Sequence, residues 1–397
     1  MSHDQKPILF LASWYPTPQN INHGIFIKNH ALALSKFMPV IVVYAYSSAN
    51  AQQTKITKNK QGNFEEWILE YKKVDLSIPL LSSMIKFRRF KNAYTTLLKE
   101  LISNNISIKA IQLNTIFPAA IILPIFKNYY KVPHIIVEHW SGYLPEDGNY
   151  KGFLQLYFTE KAVASATKLF YVSEKQKNAM LDHGLNGDYE LIYNVVNTSV
   201  FCENKSIKNS KPLLLHVSSL VEKEKNINGT LSVIQKLQKA NYQFDLLIVG
   251  GNETSVSYYK QKAKDLRLND VTFAGEKTQT EVATYMQQAH ALILFSNYEG
   301  MPVVVLEALA TGLPVFASKV GQLPNLITDN FGKLVSVGNE NELEESLKEF
   351  LDGKLKFDPE KMIDFISKNA SQGLVGKKLA DCYNTVCSST NLVNSTN

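Results

Sequence analysis

Short apolar runs alternate with amphipathic stretches along the whole chain. In the first half, the runs 8–12, 40–46, 110–113, 134–137 and 169–172 have the length and β-branched content of buried strands. In the second half, the runs 213–217, 244–249, 271–274, 291–295 and 314–317 repeat the pattern. Between them, stretches such as 228–240, 258–266 and 280–288 place apolar residues at helical spacing. Strands that are apolar on both faces and alternate with helices predict parallel sheets covered by helices. Two successive sets of this kind predict an α/β chain of two doubly wound, Rossmann-like domains.

The break between the sets is expected near 192–198, giving domains 1–193 and 194–373. Beyond it, 201–212 turns polar, with Lys, Asn and Ser, before the next strand begins. A last helical stretch at about 374–387 is free to pack back on the first domain, and the small, polar 388–397 reads as a disordered, frayed tail. No internal repeat of solenoid length is visible.

With 397 residues, 45% of them hydrophobic, the chain has material for two cores. The polar 1–7 leads straight into the first apolar run, which is too short for a signal peptide. The longest apolar stretches, such as 119–126, contain Pro and fall well short of the roughly 18–20 residues that span a bilayer. A cytoplasmic location is expected. Cys202, Cys382 and Cys387 make neither a metal spacing nor a disulfide framework and read as structural thiols. The net charge of +6 is lopsided: Lys and Arg outnumber Asp and Glu 21 to 14 in residues 1–193, against 21 to 22 in the remainder. The densest basic run is Lys86, Arg88, Arg89 and Lys91. No nucleic-acid-binding motif accompanies it, so a nucleic-acid partner is not expected. A face toward an anionic membrane or a phosphorylated acceptor is the functional reading, and a solvated helix face is the plain one.

The chemistry concentrates in residues 295–315, FSNYEGMPVVVLEALATGLPV. A strand ends near Phe295, a short loop carries Glu299 and Gly300, and Pro302 suits the first helical position. The helix is expected to run through Ala310 and stop at Gly312, with Pro314 opening the next strand. Gly300, Met301, Pro302, Val303 and Val304 thus form a strand–loop–helix corner whose free N–H groups and positive dipole end suit a diphosphate. Glu299 and Glu307 flank it. A carboxylate accepts from hydroxyls and repels phosphate, so the pair fits a ligand with hydroxyls at both ends and phosphates between, the layout of a nucleotide-sugar. No G-x-G-x-x-G follows a strand, and no P-loop motif is present.

At this point the sequence resembles glycosyltransferase family 4, of GT-B fold, whose E-x7-E motif falls here on Glu299 and Glu307. Gly300, Pro302, Ala308, Gly312 and Pro314 also look like that family. The resemblance implies that Glu299 contacts the donor sugar and Glu307 the ribose hydroxyls. Gly24, in NHGIFI at 22–27, occupies the family's N-terminal glycine loop, after an opening SWYP at 13–16. His139, in VEHWS at 137–141, stands where the family often places a His toward the donor sugar, with Glu138 and Trp140 in support. Lys225, in EKEKN at 222–226, matches the lysine that meets the diphosphate, and Gly250 with Gly251 the turn near the nucleotide. Gly321 resembles the turn that follows the motif. One departure stands out: the family's usual Gly-Arg-Leu is Ser218-Ser-Leu220 here, so Ser219 replaces an arginine.

The resemblance implies a retaining hexosyltransferase. It would move a sugar from a nucleotide-sugar donor in the C-terminal half to a glycan or lipid-linked acceptor in the N-terminal half, across an interdomain cleft, for cell-envelope polysaccharide. Catalysis would rest on His139 and Glu299. No metal or other cofactor is expected, because no D-x-D-like pair follows a strand; the leaving diphosphate would be met by helix-start N–H groups and Lys225. Acceptor choice is expected in the loops 47–60 and 144–152. A nucleotide-sugar epimerase of the same fold and a non-catalytic donor-binding module are the alternatives.

Overall fold

The computed structural model describes residues 6–75, 77–204 and 211–394. In chain order its elements begin with β1 (Ile8–Ala12), α1 (Ile25–Ser35), β2 (Val40–Ser48), β3 (Lys55–Gln61), β4 (Phe64–Lys72) and α2 (Pro79–Ser103). Next come β5 (Ala110–Asn114), α3 (Ile116–Ala119), α4 (Leu123–Tyr130), β6 (His134–Glu138), α5 (Phe153–Ala164), β7 (Lys168–Tyr171), α6 (Glu174–Asp182) and β8 (Tyr189–Leu191). The second half holds β9 (Leu213–Val217), α7 (Glu222–Lys225), α8 (Ile227–Lys239), β10 (Asp245–Val249), α9 (Glu253–Asp265), β11 (Val271–Gly275), α10 (Gln279–Gln288) and β12 (Ala291–Leu294). It closes with α11 (Val303–Ala310), β13 (Val315–Ser318), α12 (Leu323–Leu326), β14 (Gly332–Val335), α13 (Glu340–Leu351), α14 (Pro359–Asn369) and α15 (Gln372–Asn394).

Two compact units result. The N-terminal unit comprises 1–172, 177–192 and 375–397; the C-terminal unit comprises 173–176 and 193–374. Among the described residues, the first holds an eight-stranded sheet in the order β3-β4-β2-β1-β5-β6-β7-β8 and the second a six-stranded sheet in the order β11-β10-β9-β12-β13-β14. Every pairing is parallel except β3 with β4. Parallel strands need helical crossovers, so both faces are covered and the strands are apolar throughout; β1, β5, β6, β12 and β13 are buried at every position.

In the N-terminal unit one core gathers Leu97 and Leu101 of α2, Phe126 of α4, Val163 of α5 and Met180 of α6 over Leu9, Leu11, Ile111 and Leu113. On α15, Gly376 lies so close to α1 that a Cβ would run into the Ala33 carbonyl, and the Tyr383 hydroxyl donates to Gln112 Oε1 of β5 at 2.7 Å. In the C-terminal unit Leu231, Ile234 and Leu237 of α8 pack with Ile293, Phe316, Leu343 and Leu347. Parallel sheets of this kind present their ligand-bearing loops at the carboxyl ends of the strands, and that is where each candidate residue falls.

Several expectations need correction. Residues 55–60, read as part of a loop, belong to β3 (55–61). Its sequence KITKNKQ is polar because it is an exposed edge strand paired antiparallel to β4, and charge on an edge guards it against further pairing. Residues 47 and 48 likewise belong to β2. Pro302 is the N-cap of α11 rather than its first helical residue, with φ −67° and ψ 117°. The segment 388–394, expected to fray, continues α15. Once packing of Leu379 and Tyr383 fixes that helix, each further residue adds one backbone bond at little cost. Residues 395–397 lie outside the described residues. Strand β8 is too short, at 3 residues, to show as an apolar run, and β14, GKLV, carries Lys333 in its middle.

All three tryptophans, Trp14, Trp67 and Trp140, belong to the N-terminal unit, so intrinsic fluorescence reports that unit alone. Gly376→Ala should weaken it by about 1–3 kcal/mol, because the new methyl meets backbone rather than a side chain that can turn away. Gly187→Ala, in the same unit with nothing closer than 3.8 Å to the new methyl, should stay within about 1 kcal/mol of the parent. Urea unfolding followed by tryptophan emission would check both, and equal midpoints for the two variants would refute the close crossing.

Candidate functional site

In the N-terminal unit the candidate residues meet at the ends of β1 and β6. The loop after β1 folds back on itself at Gly24, the N-cap of α1, where φ is +66° and a Cβ would strike the Trp14 backbone. Only glycine fits there. This brings the first turn of α1 against the loop after β6: the Phe26 ring lies 4.5 Å from the His139 ring, and His30 5.1 Å from it. Gly24 and His139 are therefore parts of one assembly, joined through Phe26.

Glu138, the last residue of β6, holds the β6 loop in place. Its fully buried carboxylate accepts from the backbone N–H groups of His139 and Trp140 at 2.8 Å, from Ile116 N–H at 2.9 Å and from the Tyr143 hydroxyl at 3.0 Å. Burial pushes its pKa up while these donors pull it down. Sequence reading placed Glu138 as support; the structure adds Tyr143 and Ile116, whose partnership across 22 residues no spacing rule reveals.

In the C-terminal unit, β12 delivers the corner. The Glu299 side chain accepts from Ser296 Oγ at 2.7 Å and from Lys225 Nζ at 2.7 Å. Lys225 also pairs with Glu224 at 2.6 Å. Burial opposes the ammonium, but the charges of Glu299 and Glu224 outweigh it and hold the pKa above the ordinary lysine value. The structure thus brings Lys225 and Glu299 together, although 74 residues separate them. Asn297 ties the same two loops, its N–H donating to the Glu224 carbonyl at 2.8 Å and its side chain to the Lys223 carbonyl at 3.1 Å.

Gly300 and Met301 complete the loop. The Gly300 carbonyl accepts from Gln322 N–H at 2.9 Å, and a Cβ on Gly321, at φ +55°, would run into the Gly300 and Glu299 carbonyls. Buried Met301 is held by Asn194, whose amide donates to its carbonyl at 2.8 Å. From Pro302 the chain enters α11. Val305 N–H is the first to find a partner in the preceding turn, the Pro302 carbonyl at 3.1 Å, which leaves the N–H groups of Val303 and Val304 for an incoming acceptor.

Glu307 sits one turn further along α11, 7% exposed. Burial raises its pKa to about 8, and a hydrogen bond from the Gln279 side chain offsets this only in part. Glu299 and Glu307 therefore occupy different surroundings: one faces a cation, the other an amide, and they share no hydrogen-bond partner among the described residues. The turn at Gly250 lies against the loop after β9, where a Cβ on Gly250, at φ +105°, would collide with the Ser218 carbonyl. Ser219, in the position of the arginine that the resemblance leads one to expect, is exposed.

One buried residue went unnoticed in the sequence. His216 of β9 faces the Ile293 carbonyl through Nδ1 at 3.0 Å and Ser218 Oγ through Nε2 at 2.7 Å, while Ser218 Oγ accepts from Leu220 N–H at 3.1 Å. A carbonyl only accepts, so Nδ1 carries the proton and Nε2 accepts from the serine. Burial lowers the His216 pKa to about 4, with the Ile293 bond opposing and the Lys225 charge assisting. The imidazole stays neutral and fixes the turn at 218–220. A histidine inside the otherwise aliphatic run LLLHV was the available signal. Among the described residues no group of three or more His, Cys, Asp or Glu is placed to hold a metal ion, and no helix is long and apolar enough to cross a membrane.

Comparison with known proteins bears on the fold and on the C-terminal unit. Residues 201–371 match the family model described as glycosyl transferases group 1. An uncharacterised glycosyltransferase of Methanocaldococcus jannaschii is 27% identical over 72% of this chain and 77% of its own length. A putative teichuronic acid biosynthesis glycosyltransferase of Bacillus subtilis is 25% identical over 82% of this chain and 83% of its own. In fold, the chain is similar to Anabaena HepE, solved in complex with UDP and glucose, with a TM-score of 0.72 and 16% identity over 96% of this chain and 99% of that one. The fold is GT-B, and the likeness to group 1 glycosyl transferases lies in the C-terminal unit, over residues 201–371.

Glu307 gives the site a pH signature. Its folded pKa, about 8, exceeds the ordinary value near 4.5 that it has when unfolded. Between those values the unfolded chain has lost the proton while the folded chain keeps it. Stability should therefore fall as pH rises from about 4.5 to about 8 and level off above, by roughly a few kcal/mol. Glu307→Gln should remove that decline. Thermal midpoints of parent and variant from pH 5 to 9 would test this, and parallel curves would count against it.

Proposed function

We propose that this group 1 glycosyltransferase moves a hexosyl-type sugar from a nucleotide-sugar to a glycan or lipid-linked acceptor, with retention of anomeric configuration. The observation that carries the reading is the corner at 296–307. Backbone donors at Val303 and Val304 find no partner among the described residues, the Lys225 ammonium is held by Glu299 of the same loop, and Glu307 is buried with one amide partner. A diphosphate takes the helix start. Sugar hydroxyls are read by Glu299 and ribose hydroxyls by Glu307.

In the transfer, the bond from the anomeric carbon to the phosphate oxygen breaks and a bond to the acceptor oxygen forms. The acceptor proton passes to the leaving phosphate. Charge that develops on the diphosphate is met by the two N–H groups, already fixed before reaction, and by Lys225 once the ligand has drawn it from Glu299. Gly24 and His139 serve the acceptor and the transferred sugar. The reaction needs no metal or other cofactor, because the developing charge has these fixed partners. Cell-envelope polysaccharide is the proposed destination, in keeping with the teichuronic acid relative.

The N-terminal unit is proposed to work from the cytoplasmic face of an anionic membrane. Helix α2 supports this: Ile78, just before it, and Met84 are 61% and 63% exposed beside Lys86, Arg88, Arg89 and Lys91. Exposed apolar residues among basic ones are the composition of an interfacial helix. A second reading, a donor-binding module without turnover, is favoured by Ser219 and by the two acids that neutralise Lys225.

A panel of UDP-, GDP- and ADP-sugars should yield one that raises the melting temperature, by the equivalent of about 2.7 kcal/mol at a hundred times Kd. Glu307→Ala should lose that stabilisation. With that donor and an acceptor, NMR of the product should show the donor's anomeric configuration. Donor binding with neither transfer nor slow hydrolysis would favour the module instead. For the membrane, Met84→Glu should cut co-sedimentation with phosphatidylglycerol vesicles several-fold, and undiminished pelleting would dismiss the proposed face.

A further inference from the structure

A hollow of about 220 Å³ opens between the end of β4 and helix α2. It is lined by Thr54, Tyr71, Lys72, Arg89, Asn92 and Thr96, with no carboxylate among the lining residues. Arg89, Asn92 and Thr96 follow one another at helical spacing on one stripe of α2. Every polar side chain in this hollow is cationic or can donate a hydrogen bond. The Thr96 hydroxyl spends its proton on the Asn92 carbonyl at 3.0 Å, which leaves Arg89, Lys72, the Asn92 amide, Thr54 and Tyr71 to serve a guest.

Three features single out Arg89. The chain contains three arginines, Arg88, Arg89 and Arg267, against a large excess of lysine, so the use of a guanidinium here is not a habit of composition. Its Nη1 donates to the carbonyls of Lys72 at 2.8 Å and Lys73 at 3.5 Å. That anchorage holds the fork in place while most of its five donors stay available. Among the described residues no carboxylate pairs with it. Tyr71 lies within its field, since the phenol, raised by burial, is pulled down by the Arg89 charge.

We infer that this hollow is a phosphate site, filled by a phosphate group that Arg89 grips through its free donors and Lys72 neutralises. Arginine suits phosphate because its planar fork matches two oxygens at once, and such charge-assisted bonds are about twice as strong as neutral ones. The volume is several times the roughly 30 Å³ share of one water, enough for a phosphate and its residual hydration. Toward the helix start the same stripe passes Ile85 and buried Ser82 and reaches the exposed Ile78, just before the helix. A phosphate that carries an apolar tail would find both halves served. The inference rests on the reading above that the N-terminal unit handles the acceptor: it gives that acceptor, or the bilayer around it, a phosphate held apart from the reacting centre.

Two sources supply this chemistry, a soluble phosphorylated molecule and a lipid headgroup, and one experiment separates them. With three arginines, the chain gives three Nε–H signals in a nitrogen-15 spectrum, and Arg89→Lys identifies one of them. Inorganic phosphate and glycerol 3-phosphate should shift the Arg89 signal in a saturable way and leave Arg267 unmoved. Lys72→Gln should weaken the binding about tenfold, and Arg89→Lys should weaken it similarly although the charge is kept. Lys86→Gln, on the same helix but outside the hollow, should change it less than twofold. Capture by phosphatidylcholine vesicles doped with phosphatidic acid, lost in Arg89→Lys, would point to the headgroup; response to soluble phosphate alone would point to the free molecule. No Arg89 shift with any probe, or equal weakening by Lys86→Gln, would overturn the site. Donor-sugar stabilisation measured on the same proteins keeps the two readings apart, because it should survive Arg89→Lys. Its failure in every protein, with phosphate still moving Arg89, would strike the donor reading and spare this one.

Discussion

The ion pair between Lys225 and Glu299 is the constraint on which the C-terminal site depends. One partner ends the short helix α7 and the other sits in the loop after β12, so a single 2.7 Å contact, almost closed to solvent, fastens two loops from different crossovers. A buried pair of this kind adds little net stability over an apolar substitute, yet breaking it strands a charge at a cost of about 3–5 kcal/mol. Its contribution is to fix one arrangement. The Asn297 bonds to residues 223 and 224, and the packing of Gly321 beneath Glu299 and Gly300, repeat the same geometry from other sides. Loops tied this way keep the start of α11 open without the help of a ligand. Such preorganisation lets backbone dipoles act on a developing charge without reorganising first.

That arrangement also sets the charge the site offers. With Glu224 and Glu299 both on Lys225, and Ser219 where an arginine would stand, positive charge at the helix start comes mainly from the peptide dipoles. On the function proposed above, a diphosphate entering there draws Lys225 partly away from Glu299, and sugar hydroxyls replace the ammonium as partners of that carboxylate. On that proposal the ion pair is a placeholder whose two halves each have a counterpart in the donor.

Much of this was legible in the sequence, and what was not has a common physical reason. Ten strands announced themselves because buried parallel strands must be apolar on both faces. The β3–β4 hairpin did not, since an edge strand such as KITKNKQ carries polar residues to stay unpaired. The strand–loop–helix corner was readable because Pro302 and Gly312, at φ +70°, suit the local backbone at the two ends of the helix, although Pro302 serves as the cap and not the first turn. Contacts between distant residues left no such trace. Lys225 with Glu299, Glu138 with Tyr143 and Ile116, and His216 with Ile293 depend on which strands the topology makes neighbours. A glutamate or histidine closing an apolar strand signals that a partner exists without saying which.

Two buried glutamates show why burial alone does not mark a binding residue. Glu138 and Glu307 are both withdrawn from water, and burial raises both pKa values. Glu138 meets four donors, three of them main-chain N–H groups, so its carboxylate is provided for by the fold and has little left to offer a ligand. Glu307 has a single side-chain amide, from Gln279. An acceptor-only group left short of donors in a low-dielectric setting is costly to keep. Folding tolerates it by leaving the proton on near neutral pH, and a ligand with paired hydroxyls supplies the missing donors and allows the charge to form. The glutamate the fold has satisfied is structural; the one it has left with a single amide is the one proposed above to meet the nucleoside.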